Sequence, residues 1–177
     1  MSSSRSLAGA ICLLLLVLVG TAQAAGASAV GALAPDFALP AWRGSNVRLS
    51  EYRGQVVVLA FWSSRCAVCA TQLADLDQLQ RTYGSAGLVT LAVSVDDDMQ
   101  QARKYARDHA ASVPLLLDER RAVGRAFGVD RLPTTLLIDR AGRVRQLYRD
   151  LRRIDNSYIS QLRALLDDAP MADRSKP

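Results

Sequence analysis

The chain has 177 residues and a formal net charge of +5, with three cysteines and one histidine. Its basic residues are nearly all arginine and are scattered among aspartate and glutamate. No basic block with interleaved aromatics follows from that arrangement, so nucleic acid is excluded as a partner, and Arg120-Arg121 and Arg152-Arg153 read as solvated faces.

Arg5 precedes Leu7 to Gly20, an uncharged stretch centred on Leu13 to Val19, and Thr21-Ala22-Gln23-Ala24 follows it. A basic residue, a short apolar run and an Ala-x-Ala ending predict a secretory signal peptide over 1–24. The run is shorter than the ~20 residues of a spanning helix; an uncleaved N-terminal membrane anchor is the other reading. Cys12 inside it reads as a small apolar residue. Cleavage leaves Cys66, Cys69 and His109, too few for a structural zinc site of about four ligands. Export places the cysteine pair in a periplasmic or otherwise oxidising compartment, where a disulfide persists.

Residues 25–33 are rich in small side chains and read as a flexible lead-in. Ala34 to Pro40 suggests a short edge strand, Val47 to Leu49 follows a Gly44-Ser45-Asn46 turn, and Ser50 to Gly54 reads as one helical turn ended by glycine. Val56 to Trp62 is a continuous apolar run, the mark of a strand buried on both faces. From Cys69, Leu73, Leu76, Leu79 and Tyr83 recur at helical spacing up to Gly84. Leu88 to Val95 is a second buried strand. Asp96-Asp97-Asp98 then supplies helix caps, with Met99, Ala102, Tyr105, Ala106 and His109 on the inner face of the helix that follows. Val113 to Leu117 predicts a strand, and Arg120 to Phe127 a short helix closed by Gly128. Thr134 to Ile138 and Val144 to Tyr148 form a hairpin through Asp139 to Arg143. Ile159, Leu162, Leu165 and Leu166 mark a last amphipathic helix, and residues 167–177 a disordered tail. Parallel βαβ units followed by a hairpin and a closing helix imply one α/β domain over 34–166. Its central mixed sheet carries helices on both faces and a short N-terminal β extension.

Cys66-Ala67-Val68-Cys69 falls where the buried strand turns into a helix. Two cysteines at this spacing make a small disulfide ring or half a metal site. So small a ring adds little as a structural staple, and a working redox pair is the better reading. Unpaired N–H groups at the helix N-terminus favour a thiolate on Cys66, while Cys69, one turn on, is expected to be buried. Arg65 either points its guanidinium at the sulfur and adds to thiolate stabilisation, or is solvated. Cys66 attacks a partner disulfide, and Cys69 resolves the mixed disulfide; run backwards, the same steps oxidise a dithiol. Leu132-Pro133-Thr134-Thr135 places a proline just before a strand, where X–Pro bonds are trans by default.

The stretch Phe61-Trp62-Ser63-Ser64-Arg65-Cys66-Ala67-Val68-Cys69, with Gly128 to Gly142 around Leu132-Pro133-Thr134-Thr135, resembles the thioredoxin superfamily. Within it, the chain is most similar to exported thiol–disulfide oxidoreductases of the TlpA, ResA and DsbE type, over Ala34 to Leu166. Pro35-Asp36-Phe37 and Leu49 to Gly54 match that group's N-terminal extension. The resemblance implies a cis Pro133 beside the cysteines and a Leu132 backbone that pairs with an extended substrate. It also implies that Trp62 and Leu132 form an apolar rim, and that no cofactor is needed. The expected activity is reduction of protein disulfides, in cytochrome c maturation or another dedicated pathway, fed by a membrane-bound electron donor.

Departures from that group are Arg65 in place of tryptophan, Ala67-Val68 without proline, Gln72 in place of glutamate and Ala74 in place of proline; thioredoxin's own buried aspartate is Ala60 here. Gln72 cannot act as a base for Cys69, so Arg65 and Gln72 are the residues expected to modulate the cysteine pKa values. Ser63-x-x-Cys66 also resembles peroxiredoxins, although the proline of that motif is Leu59 here. A peroxiredoxin-like thiol peroxidase and a copper-binding redox module are therefore the alternatives. Ala70 after Cys69 rules out a c-type haem site.

Overall fold

The computed structural model describes residues 29–109, 113–151 and 153–168. The signal-peptide segment 1–24 and the tail beyond Asp168 lie outside the described residues. Among the described residues no helix is long and apolar enough to cross a membrane.

β1 (Ala38–Leu39) and β2 (Val47–Arg48) form a small antiparallel pair, followed by a 3-10 turn at Leu49–Tyr52. Then come β3 (Val56–Trp62), α1 (Cys69–Tyr83), β4 (Leu88–Ser94), α2 (Met99–Asp108), β5 (Leu115–Leu117), α3 (Ala122–Ala126), β6 (Thr134–Ile138), β7 (Val144–Arg149) and α4 (Asn156–Asp167). The main sheet has the order β5-β4-β3-β6-β7. β3, β4 and β5 run parallel, β6 pairs antiparallel with β3, and β7 pairs antiparallel with β6.

All seven residues of β3 are buried. Side chains alternate across a strand, so the run feeds two cores. Val56, Val58, Ala60 and Trp62 pack with Leu73, Leu76 and Leu79 of α1 and with Tyr158 and Leu162 of α4. Val57, Leu59 and Phe61 pack on the other face with Leu49, Phe37, Leu116 and Phe127. A strand apolar at every position is stable in this place because neither face meets water.

The N-terminal segment is more engaged than its composition suggests. Gly31 N–H donates to the Val144 carbonyl, and Val144 N–H to that of Ala32, at 2.7 and 2.9 Å. Residues 31–33, expected as flexible lead-in, are thus hydrogen-bonded to the start of β7. Further on, Trp42 N–H donates to Leu115 O and Leu117 N–H to Pro40 O, while Ala41 bridges Leu116. Asp36 accepts from the Ser50 N–H and hydroxyl, both at 2.9 Å. Burial pushes the Asp36 carboxyl up, but the Ser50 hydrogen bonds outweigh it and hold the group below its ordinary value. This contribution is present above the unfolded carboxylate pKa and is lost as pH falls through the folded one.

Several boundaries differ from the sequence expectation. The strand expected over 34–40 pairs as a strand at Ala38–Leu39, and the one over 113–117 begins at Leu115. Gly84 stays right-handed, and the chain leaves its helical path at Gly87, with φ of 93°. Of the three aspartates before α2, Asp98 is the cap, accepting from Gln100 and Gln101 N–H. His109 is exposed and stacks on Tyr105 with centroids 4.0 Å apart.

The core makes two contrasting stability predictions. Leu76 is fully buried between α1 and the sheet, so Leu76→Ala is expected to lower unfolding free energy by about 3 kcal/mol. The Tyr158 hydroxyl is buried without a partner, and an unpaired buried polar group is unfavourable. Tyr158→Phe is therefore expected to leave stability unchanged or raise it. Urea titrations followed by circular dichroism check both.

Candidate active site

β3 ends at Trp62, and the chain leaves the sheet through Ser63 to Val68 before α1 begins. Cys66 N–H donates to Ser63 O and Cys69 N–H to Cys66 O, each at 3.0 Å. These two turns bring the sulfurs together in a Cys66–Cys69 disulfide of 2.09 Å. Cys66 is half-buried, while Cys69 is fully buried against the α1 side of the core. α1 opens at Cys69, with Val68 as the cap residue. Cys66 therefore sits just ahead of the helix, at the strand-to-helix turn. It still lies close to the positive end of the helix dipole.

The opposite wall is the start of β6. Phe61 pairs with Thr134, which brings Pro133 level with the end of β3. The Leu132–Pro133 peptide bond is cis. Pro133 is buried and Leu132 half-buried. Pro133 O accepts from Asp150 N–H at 2.8 Å, and the Thr134 hydroxyl donates to Arg131 O at 2.8 Å. Among the described residues, no backbone hydrogen bond occupies the N–H or C=O of Leu132.

A groove of about 460 Å³ opens beside Cys66, lined by Val95, Val129 and Leu132 and by Arg65, Arg121 and Arg131. Trp62 does not reach it. Its indole is fully buried and stacks on Tyr105 at 5.1 Å. The expected Trp62–Leu132 rim is thus corrected: Trp62 occupies an even β3 position that faces α1, so it supports the site from within the core. Arg65 is exposed and lines the groove, and its backbone N–H donates to the Ser63 hydroxyl oxygen at 3.2 Å.

Gln72, one turn after Cys69, is buried at 3 % exposure. Its Nε2 donates to Thr135 Oγ1 at 2.7 Å, tying α1 to β6, while Oε1 is buried without a partner. A carboxylate in this place would have had to shed its hydration; the neutral amide avoids that desolvation.

Asp96 is a site residue that the sequence reading took for a helix cap. It is 3 % exposed. It accepts from Ser64 N–H at 3.0 Å, the Ser64 hydroxyl at 2.6 Å and the Ser94 hydroxyl at 2.8 Å. Such charge-assisted bonds are the strong ones, and here they anchor the loop two residues before Cys66. Burial first, then the charge of Asp96, push the Tyr105 hydroxyl above its ordinary pKa. The signal for this clamp lies in the parallel register: Trp62 pairs with Ser94, so Ser64 and Asp96 leave the sheet side by side.

Comparison with known proteins agrees with this geometry. The model of the AhpC/TSA family matches residues 30–147. The thiol-disulfide oxidoreductase ResA of Geobacillus kaustophilus is 38% identical over 121 residues, 68% of this chain and 70% of that protein. The protein of the same name in Bacillus subtilis is 31% identical over 114 residues, 64% of each chain. Among solved structures, a chain from Chlorobium tepidum assigned as a thiol:disulfide interchange protein DsbE superposes with a TM-score of 0.72 and 32% identity. That match covers 78% of this chain and 98% of that one. The pneumococcal exposed lipoprotein thioredoxin of Streptococcus pneumoniae gives 0.65 at 26% identity, over 76% and 100%.

A thioredoxin-like sheet carrying a disulfide at the β3–α1 turn, with relatives of this kind, defines a thiol–disulfide oxidoreductase. The chain belongs to the AhpC/TSA family, on the branch of the ResA- and DsbE-like oxidoreductases.

Asp96→Ala is expected to lower stability by about 2 kcal/mol, because Ser64 and Ser94 lose an ionised acceptor. Hydrogen exchange at the Ser64 amide is expected to accelerate out of proportion to the global change. Exchange followed by NMR at that amide checks the local effect.

Proposed function

We propose that this chain is an exported reductant of protein disulfides, with Cys66 as nucleophile and Cys69 as resolving thiol. The observation that carries the assignment is the asymmetry of the pair: Cys66 opens onto the groove, and Cys69 is fully buried behind it. In the reduced protein the Cys66 thiolate attacks one sulfur of a partner disulfide, and the other partner sulfur leaves as a thiolate. Cys69, its proton passing to water or to that leaving thiolate, then attacks Cys66 sulfur. The second partner sulfur departs, the partner has gained two electrons, and Cys66–Cys69 is oxidised. The unoccupied backbone groups of Leu132 beside cis Pro133 suit an extended partner segment laid along the groove. Gln72 supplies no proton acceptor of carboxylate strength, so resolution by Cys69 is the step expected to be slow. Arg65, next to Cys66 in the chain and exposed on the same groove, is the residue assigned to stabilise the Cys66 thiolate.

Export rests on Arg5, the uncharged stretch Leu7 to Gly20 and the Ala22-Gln23-Ala24 ending. In that compartment the mature domain, 34–166, requires re-reduction, and a membrane-bound donor fits the requirement. A second reading, a thiol peroxidase, is favoured by Ser63-x-x-Cys66 and by the AhpC/TSA match.

Cys66→Ser is expected to abolish reduction of insulin disulfides, and Cys69→Ser to accumulate a mixed disulfide through Cys66, seen by non-reducing electrophoresis and mass spectrometry. Efficient hydrogen peroxide consumption, lost in Cys66→Ser, would instead support the peroxidase. The reductant assignment further expects a potential towards the thioredoxin end, about −270 mV, and a value near −120 mV against a glutathione buffer would overturn it.

A further inference from the structure

The groove beside Cys66 has an apolar floor and a charged rim. Val95, Val129 and Leu132 form the floor, and Arg65, Arg121 and Arg131 line the rim. A smaller hollow of about 150 Å³ continues past Arg121 to Arg125 and shares Val95 and Val129. Two carboxylates, Asp130 and Asp150, also line the groove. Asp130 is held between Arg131 at 3.6 Å and Arg149 at 3.2 Å. Arg121 is paired with Asp97 at 3.0 Å, and Asp150 is engaged within the fold. Asp96 lies behind the loop with its oxygens taken by Ser64 and Ser94. Arg65 and Arg125 differ from these. Both are exposed, and among the described residues neither guanidinium has a hydrogen bond or an ion pair. The charge left uncompensated on the approach to Cys66 is therefore positive.

We propose that this groove selects a partner cysteine flanked by acidic residues, with Arg65 as the main specificity-determining residue and Arg125 as the second. The inference rests on the oxidoreductase reading above. Arg65 neighbours Cys66 in the chain, and an extended segment advances ~3.3 Å per residue. A carboxylate one or two residues from the attacked cysteine thus falls within reach of the Arg65 guanidinium, which suits a carboxylate in bidentate geometry. The Val95–Val129–Leu132 floor takes the apolar part of the same segment. The occupant is thus an acidic, cysteine-bearing stretch of protein.

The test uses the reduced full chain and three peptides of one length. Each carries a single cysteine capped as its thiopyridyl disulfide and flanked by Glu, Gln or Lys. Attack at the peptide sulfur releases neutral thiopyridone, which reports the rate, and the same peptides attacked by 2-mercaptoethanol set the intrinsic reactivity. After that correction, the Glu peptide is expected to react about tenfold faster than the Lys peptide at low ionic strength. The ratio should collapse in high salt, where the screening length shrinks to ~3 Å at 1 M. Arg65→Gln should reduce it several-fold, and Arg125→Gln by less. Equal corrected rates, or a ratio that survives both substitutions, would overturn the inference while leaving the oxidoreductase intact. Failure to react with the Gln peptide would overturn the oxidoreductase reading itself, and this inference with it.

Discussion

β3 is hydrogen-bonded along both edges and packed on both faces, so its register decides which loops meet at its end. Parallel pairing with β4 sends Ser64 and Asp96 out of the sheet together. Antiparallel pairing with β6 returns Pro133 to the same rim. The redox turn is thereby held from two sides, by a buried carboxylate and by a proline-initiated strand. Neither hold runs through the disulfide.

How much of this was legible followed from how local each signal is. The uninterrupted apolar run Val56–Trp62 announces its burial, and the spacing of Leu73, Leu76 and Leu79 announces α1, because each side chain reports its own environment. The hairpin through Asp139 and Gly142 was likewise readable from its turn chemistry. Asp96 was misread because three consecutive aspartates look alike until the register shows which one faces Ser64. Trp62 was misassigned because its neighbour in sequence, the redox loop, is exposed, whereas its parity along β3 turns the ring into the core. The coupling of residues 31–33 and 40–42 to strands more than seventy residues away leaves no trace in local composition.

The buried side of the redox pair is electrically quiet. Neither Gln72 nor Ala60 is ionisable, and the Gln72 amide nitrogen is spent on Thr135. Asp96 is buried beside the turn with its oxygens taken by Ser64 and Ser94, and the arginines near Cys66 stand outside, along the groove. Surface charge of this kind is open to salt and to the partner's sequence, which a buried base would not feel.

The N-terminal segment has a role apart from the chemistry. Residues 31–33 bond to the start of β7, and residues 40–42 bond along β5, the two outermost strands of the sheet. One strap thus occupies part of both open borders, where unpaired N–H and C=O groups would otherwise template another chain's strand. An enzyme that acts on protein thiols gains from this restriction. Strand addition is discouraged along part of the sheet borders, while among the described residues the Leu132 backbone, on the groove beside Cys66, carries no backbone hydrogen bond.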